Sequence, residues 1–343
     1  MVIGIWIRSH QLFNIHYSFR LVILNNGMNL LIAFFRLIRW LNLVFIALTQ
    51  ILFYYFILPF VFRDKYYEAV HTFSQLHFYL LVTASVFIAA AGYIINDYFD
   101  LNIDMLNKPS KLIIEKFIKR RWAIVLHILL SLIGFIISLY VGYKLGNFYI
   151  PFFNLVAIAA LFFYSTTLKK HLLIGNVLIS LLTAWVILVV AIAEYKYQYP
   201  KTIPADDFAT PRLLKLSFLY AGFAFIISLI REVVKDMEDM EGDAKYGCRT
   251  IPVVWGVPVA KVFGAVWLVV LIGTIAILQF YVFQLGWWLS VFYSTILIII
   301  PLIWILKKLY AAQTPVQFHQ LSSAIKFVML TGILSMVFFR IYL

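Results

Sequence analysis

Cysteine is nearly absent: Cys248 stands alone in 343 residues. That excludes a disulfide within the chain and any cysteine-rich metal site. Acids are scarce too, with 15 Asp and Glu against 28 Lys and Arg, for a formal net charge of +13. Charged residues of both signs make up only 13% of the chain, which excludes a disordered polymer and a coiled coil. Low-complexity segments are lacking, and no internal repeat is visible.

What fills the chain is apolar. Hydrophobic residues reach 64%, against about 45–50% in an average soluble domain, and mean hydropathy is +0.95. A soluble fold of this size has too few buried positions for so much apolar surface, so the natural solvent is a bilayer. A membrane helix needs about 20 apolar residues. Runs broken by charges, Pro and Gly predict nine helices, near 40–62, 76–96, 122–143, 148–166, 173–193, 213–234, 258–283, 286–306 and 321–341. The expected fold class is all-α: a polytopic membrane protein with about nine transmembrane helices around a central cleft. Residues 1–27 mix Arg8, His10, His16 and Arg20 with short apolar runs, without the long apolar region of a signal peptide. They are expected to be a dispensable extension, or an upstream mis-start, before a single transmembrane domain over 28–343.

Basic residues alternate with these spans. Assigned to the two faces in turn, 20 of the 28 Lys and Arg fall on one face and 8 on the other. By the positive-inside rule the N-terminus is cytoplasmic and the C-terminus lies outside. The expected location is a bacterial or archaeal cell membrane. Alternation with spans, rather than one basic patch, argues against nucleic acid as partner.

Nine of the 15 acids fall in two windows: Asp97, Asp100 and Asp104, then Glu232, Asp236, Glu238, Asp239, Glu241 and Asp243. Both lie at cytoplasmic ends of spans, where ionisable groups are costly unless solvated, paired or metal-bound. Asn96, Asp100 and Asp104 are spaced i, i+4, i+8; Asp236, Asp239 and Asp243 are spaced i, i+3, i+7. Each set shares one helix face. Like charges so placed repel, and two such stripes ask for a counter-charge. A solvated acidic helix end would account for one stripe; two in a chain this poor in acids favour a cation. The all-oxygen set suits Mg²⁺ and argues against zinc. Gly242 marks an expected helix end or bend.

Lys and Arg lie among the acids, as a polyphosphate site would require: metals bridge its oxygens and the cations neutralise the rest. A cation-coupled transporter is the non-enzyme alternative. It would favour carboxylates near mid-span, whereas here both stripes sit at one membrane face. A phosphotransferase acting on nucleotide-activated alcohols lacks its expected Asp-Gly and Ala-Arg elements.

Asn-Asp-Tyr-Phe-Asp-Leu-Asn-Ile-Asp (96–104) with Asn107-Lys108-Pro109 resembles the first signature of the UbiA superfamily of intramembrane prenyltransferases. Lys-Asp-Met-Glu-Asp-Met-Glu-Gly-Asp (235–243), with Gly247 and Arg249-Thr250, resembles the second. Tyr164-Ser165, Leu168-Lys169-Lys170 and Gly175-Asn176 resemble the family's basic loop between the fourth and fifth helices. The likeness spans roughly 30–341 and implies a transferase. Mg²⁺ would be held by Asn96, Asp100 and Asp104 on one side and Asp239 and Asp243 on the other, with Asp236 joining them or orienting a basic partner. Asp100, Asp104, Asp239 and Asp243 are thereby the catalytic candidates, and Lys108, Lys169 and Arg249 the diphosphate contacts. Tyr93, Tyr98 and Tyr164 lie near the motifs, where a π face would stabilise an allylic cation. The 231–243 run looks most like the digeranylgeranylglyceryl phosphate synthase branch, which implies geranylgeranyl transfer from its diphosphate to geranylgeranylglyceryl phosphate. The alternative acceptor is an aromatic quinone precursor of the 4-hydroxybenzoate or naphthoate type. One departure is Ser110-Lys111-Leu112, where the family often has Arg and Pro; Lys111 keeps the charge without the guanidinium fork.

Overall fold

The computed structural model describes residues 30–62, 74–107, 112–197 and 209–343, with backbone alone at 195–197 and 209–210. Residues 1–27 and Lys108 lie outside them. Among the described residues nine helices are long and apolar enough to cross a membrane, and no strand occurs. They are α1 Trp40–Val61, α2 Gln75–Asn107, α3 Arg120–Lys144, α4 Tyr149–Thr166, α5 Ile174–Glu194, α6 Pro211–Lys245, α7 Ile251–Gln284, α8 Trp288–Ala311 and α9 Pro315–Ile341. A short helix over 30–37 precedes α1.

The number of spans agrees with the hydropathy pattern, but α2, α6, α7 and α9 outrun it by six residues or more. At 1.5 Å per residue, α2 and α6 are each about 50 Å long, well beyond a hydrocarbon core of about 30 Å. Their acidic ends continue as helix, and Gly242 neither ends nor bends α6, which runs on to Lys245. A Cβ on Gly242 would fall inside the amide of Asn107, so glycine there allows α2 and α6 to approach. Further along, α7 begins at Ile251 and breaks at Gly256 (φ 84°, ψ 159°) before restarting at Pro258. The last helix starts six residues before its apolar run, at a Thr314–Gln317 capping box with Pro315 in the first turn.

The helices close a ring. Helix α1 packs on α2, α5 and α9; α2 also packs on α3 and α4; α5 packs on α6, and α6 on α7 and α9. One apolar cluster, around Phe53, Phe78, Ile150, Val190, Leu213 and Met336, joins the ends of α1, α3, α5 and α9 to the starts of α2, α4 and α6. The opposite end is closed by a second cluster in which Ile114 and Ile118 of the α2–α3 connection pack with Leu37, Ile94 and Ala123. Outward faces are apolar, as at Ile128, Leu132 and Ile136 of α3 and Val262, Val266 and Val269 of α7. Such faces are costly in water and matched in lipid.

Proline leaves its mark on α1 and α8. Each has a π-helical turn, Phe53–Ile57 and Thr295–Ile299, just before Pro59 and Pro301. Pro301 has no N–H to offer the Leu297 carbonyl; the Thr331 hydroxyl of α9, 3.0 Å from both this carbonyl and that of Val328, shares its one proton between them.

Candidate active site

Inside the ring lies a cavity of about 620 Å³. Its walls are mostly apolar, with Ile179, Phe223, Leu271 and Ile275 along the middle and Phe60, Trp287 and Phe339 at one end. The other end is polar, lined by Arg39, Asn42, Tyr93, Asn96, Tyr164, Arg231, Glu232, Lys235 and Lys326. Arg212 and Lys215, at the start of α6, also line the cavity, away from this polar end. A largely apolar tube with a charged mouth suits an amphiphile with a long apolar tail.

The acidic stripes sit at that mouth, on the extended parts of α2 and α6. Asn107 fastens the two helices: its Nδ2 donates to the Asp239 carbonyl and its Oδ1 accepts from the Gly242 N–H, both at 3.1 Å. Across this seam Asp243 feels the charge of Asp100, and along α6 that of Asp239. Asn96 donates to Asp100 at 2.8 Å, and Asn176 of α5 donates to Asp236 at 2.8 Å. Lys169 forms an ion pair with Asp100 and donates to Asn96 Oδ1 at 3.4 Å. It is carried by a 3₁₀ turn, Leu168–Lys170, that Gly175 lets pack tightly: a Cβ there would stand 2.8 Å from the Lys169 Cα.

Arg39 enters from the chain before α1. Its backbone is left-handed (φ 51°, ψ 53°), a conformation costing about 1–3 kcal/mol for a non-glycine residue. The turn aims its guanidinium at Asp97, 2.6 Å away, and over the Tyr93 ring, 5.2 Å from the centroid. The Asp97 carboxylate raises the Arg39 pKa and fixes its charge. On α6, Arg231 and Lys235 both reach Glu232, at 2.9 and 3.0 Å.

Each sequence candidate can now be placed. Asn96, Asp100, Asp236, Asp239, Asp243 and Lys169 stand around the α2–α6 seam. Asp104 is felt electrostatically by Arg39. The Arg249 N–H donates to the Lys170 carbonyl at 2.9 Å, which ties the α6–α7 turn to the Lys169 turn, while its side chain is exposed. Tyr93 and Tyr164 line the cavity; Tyr98 instead takes Arg120 over its ring at 4.9 Å. Among the described residues no three His, Cys, Asp or Glu side chains form a self-contained metal cage. The oxygen-only donors divide between two facing helices, which fits an ion that takes one or two carboxylates per side and completes its shell with phosphate oxygens.

Residues that pattern reading passed over are Asn42, Asn107 as a clamp, and Lys326. The last counts by charge among cytoplasmic residues, yet it stands inside α9 and faces the cavity. A cation within a membrane helix, beyond the reach of a helix-end position, was the available signal.

The UbiA prenyltransferase family matches this chain over residues 58–329. The digeranylgeranylglyceryl phosphate synthase of Methanobrevibacter smithii is 33% identical over 187 residues, covering 53% of this chain and 60% of that protein. The synthase of the same name from Sulfurisphaera tokodaii is 30% identical over 220 residues, covering 64% of this chain and 72% of the relative. The match to the first thus spans about three fifths of its length. Among solved structures, a UbiA homolog from Aeropyrum pernix K1 shares the fold with a TM-score of 0.60 at 15% identity, over 88% of this chain and 98% of that one. With the family matched over most of its length, this chain belongs to the UbiA prenyltransferases.

Proposed function

We propose that the protein transfers a geranylgeranyl group from its diphosphate to geranylgeranylglyceryl phosphate, a lipophilic alcohol bearing a phosphate, and that it requires Mg²⁺. The observation that carries this reading is the pairing of two oxygen stripes across the α2–α6 seam at the charged mouth of an apolar tube. The relatives named above support the choice of acceptor.

In this reading Asn96, Asp100 and Asp104 on α2, and Asp236, Asp239 and Asp243 on α6, hold Mg²⁺. When bound, Mg²⁺ neutralises the diphosphate and lowers the cost of its departure as pyrophosphate. Lys169, poised on Asp100, and Arg249 take the remaining diphosphate charge, and Lys108, next to Asn107 in the sequence, is the third candidate for it. The prenyl chain lies along the apolar tube. The C1–O bond to the diphosphate breaks, pyrophosphate leaves with the electron pair, and the acceptor hydroxyl oxygen bonds to C1. The hydroxyl proton passes to the released pyrophosphate. Tyr93 and Tyr164 face the cavity where positive charge develops, and the apolar walls keep out water that would otherwise capture the cation. The positive-charge asymmetry of the sequence supports a mouth at the cytoplasmic face, with the N-terminus inside and the C-terminus outside.

The test is direct transfer. Purified protein with labelled geranylgeranyl diphosphate and Mg²⁺ is given geranylgeranylglyceryl phosphate, 4-hydroxybenzoate or a naphthoate in separate reactions. Ether product from the first is expected. Transfer to an aromatic acid alone would overturn the acceptor assignment, and no transfer to any acceptor would overturn the reaction.

A further inference from the structure

The cavity mouth has two chemically distinct poles. The carboxylates of Asp100, Asp236, Asp239 and Asp243 do not line the cavity itself; Asn96 does, and it marks where their stripes meet the tube. Inside that boundary the polar lining is cationic. Arg39 comes from the turn before α1, Arg231 and Lys235 from α6, and Lys326 from α9. These three elements are far apart in sequence, so the cluster is a product of the ring closing α9 onto α1 and α6.

The charges do not cancel. Arg39 is paired with Asp97, while Arg231 and Lys235 share the single carboxylate of Glu232. Lys326 donates to the neutral amide oxygen of Asn42 at 3.5 Å, and it interacts electrostatically with Arg231, Lys235, Arg39 and Glu232 together. At this end of the cavity four cations line the wall with the single carboxylate of Glu232, while Asp97 pairs with Arg39 from behind the lining and Asp104, Asp236 and Asp243 act on Arg39 and Lys235 from outside it. The Arg231 Nε is buried and has no hydrogen-bond partner among the described residues. Holding this cation cluster beside an apolar tube, with Lys326 on a neutral amide and the Arg231 Nε unpartnered, is costly unless an anion joins it. A phosphate monoester brings a charge of about −1.5 to −2 and three acceptor oxygens, whereas a carboxylate brings only one charge.

We infer that Arg231, Lys235 and Lys326, with Arg39 beside them, form a metal-independent pocket for the phosphate of the acceptor lipid, separate from the carboxylate site for the diphosphate. The inference rests on the prenyl-transfer reading and deepens it. Lys326 is its specificity-determining residue: it carries the cation whose hydrogen-bond partner in the pocket is uncharged. A phosphate seated there puts the adjoining glycerol hydroxyl toward Asn96, where the two poles meet, and leaves the acceptor chain to follow the tube.

The experiment uses full-length protein in detergent micelles and measures binding in EDTA by calorimetry. Its probes are a long-chain monoalkyl glycerol phosphate and the same ether alcohol without phosphate. The phosphate form is expected to bind at least about tenfold more tightly, as charge-assisted contacts require. Lys326→Met should remove most of that preference, and Lys326→Arg should keep it. In turnover with Mg²⁺, Lys326→Met should raise the acceptor KM about tenfold while the KM for geranylgeranyl diphosphate stays within about twofold. Equal affinity of the two probes for the wild-type protein, or a selective rise in the diphosphate KM, would overturn the pocket. Should the variants fail to fold, the wild-type comparison in EDTA decides alone. Transfer to aromatic acids only, with the phosphate preference intact in EDTA, would defeat the proposed reaction and leave the pocket standing.

Discussion

Asn107 grips the backbone around Gly242 from both sides, accepting from the Gly242 N–H and donating to the Asp239 carbonyl, each at 3.1 Å. The clamp sets the register of the α2 stripe against the α6 stripe. Gly242→Ala would drive a methyl into the Asn107 amide, and such overpacking typically costs about 1–3 kcal/mol. The variant should unfold at lower temperature and lose turnover with it. Asn107→Ala vacates the colliding space, so the double variant should be less destabilised than the sum of the two singles. Strict additivity in thermal unfolding of the four proteins would show that the two residues do not interlock.

Much of this architecture was legible beforehand, and the failures have physical causes. Nine spans follow from apolar run length, because nothing but a helix satisfies the backbone in lipid. The candidate site residues stood out because acids are rare and share helix faces. The helical continuations of α2 to Asn107 and α6 to Lys245 were not legible, since polar sequence at a membrane surface is read as loop. There the helix persists through tertiary partners: Asn107 across the seam, Asn176 on Asp236, and Lys169 on Asp100. The start of α9 was readable in Thr314-Pro315-Val316-Gln317, a capping box with proline after the cap, but its apolar run begins later. Lys326 shows the limit of counting charges by side, because a cation that lines a cavity carries no topological information.

The Thr331 hydroxyl, shared with the Val328 carbonyl, supplies the hydrogen bond that Pro301 denies to Leu297. Thr331→Val should therefore destabilise the α8–α9 contact by about 1–3 kcal/mol, the cost of an unsatisfied buried carbonyl. Pro301→Ala restores a backbone donor, so it should recover part of that loss when combined with Thr331→Val. Both variants lie away from the acidic stripes, and turnover at low temperature should remain near the wild-type rate. Chemical or thermal unfolding of the single and double variants checks this; no rescue by Pro301→Ala would refute the exchange of donors.

Cys248 lies in the turn between α6 and α7, 3% exposed. Burial, together with the Asp243 charge, pushes its thiol up to about 11. The reactive thiolate is then about a thousandth of the population at pH 8, against about a quarter for an ordinary thiol of pKa about 8.5. Because the folded pKa is raised, reaction with maleimide should be slow at pH 7–8 and accelerate as pH rises toward 11. Unfolding in dodecyl sulfate should make Cys248 react at the ordinary rate at pH 8. Rapid labelling of the native protein at that pH would contradict the burial.

Asp100 on α2 and Asp239 on α6 belong to the two stripes that meet at the seam, and the proposed chemistry needs both. Asp100→Ala should lower kcat by about 100-fold or more, the scale of losing one preorganised electrostatic element, and Asp239→Ala should do the same. Removing Asp100 also strips Lys169 of its ion-pair partner, so Lys169→Met should be milder and appear mainly as a higher KM for the prenyl diphosphate. EDTA should stop turnover of the wild type, and added Mg²⁺ should restore it. Circular dichroism and size exclusion check that the variants remain folded, and single-turnover assays measure the loss. Near-normal turnover in both aspartate variants, or a wild-type rate indifferent to EDTA, would mean that these stripes do not hold the metal and that the leaving group is stabilised elsewhere.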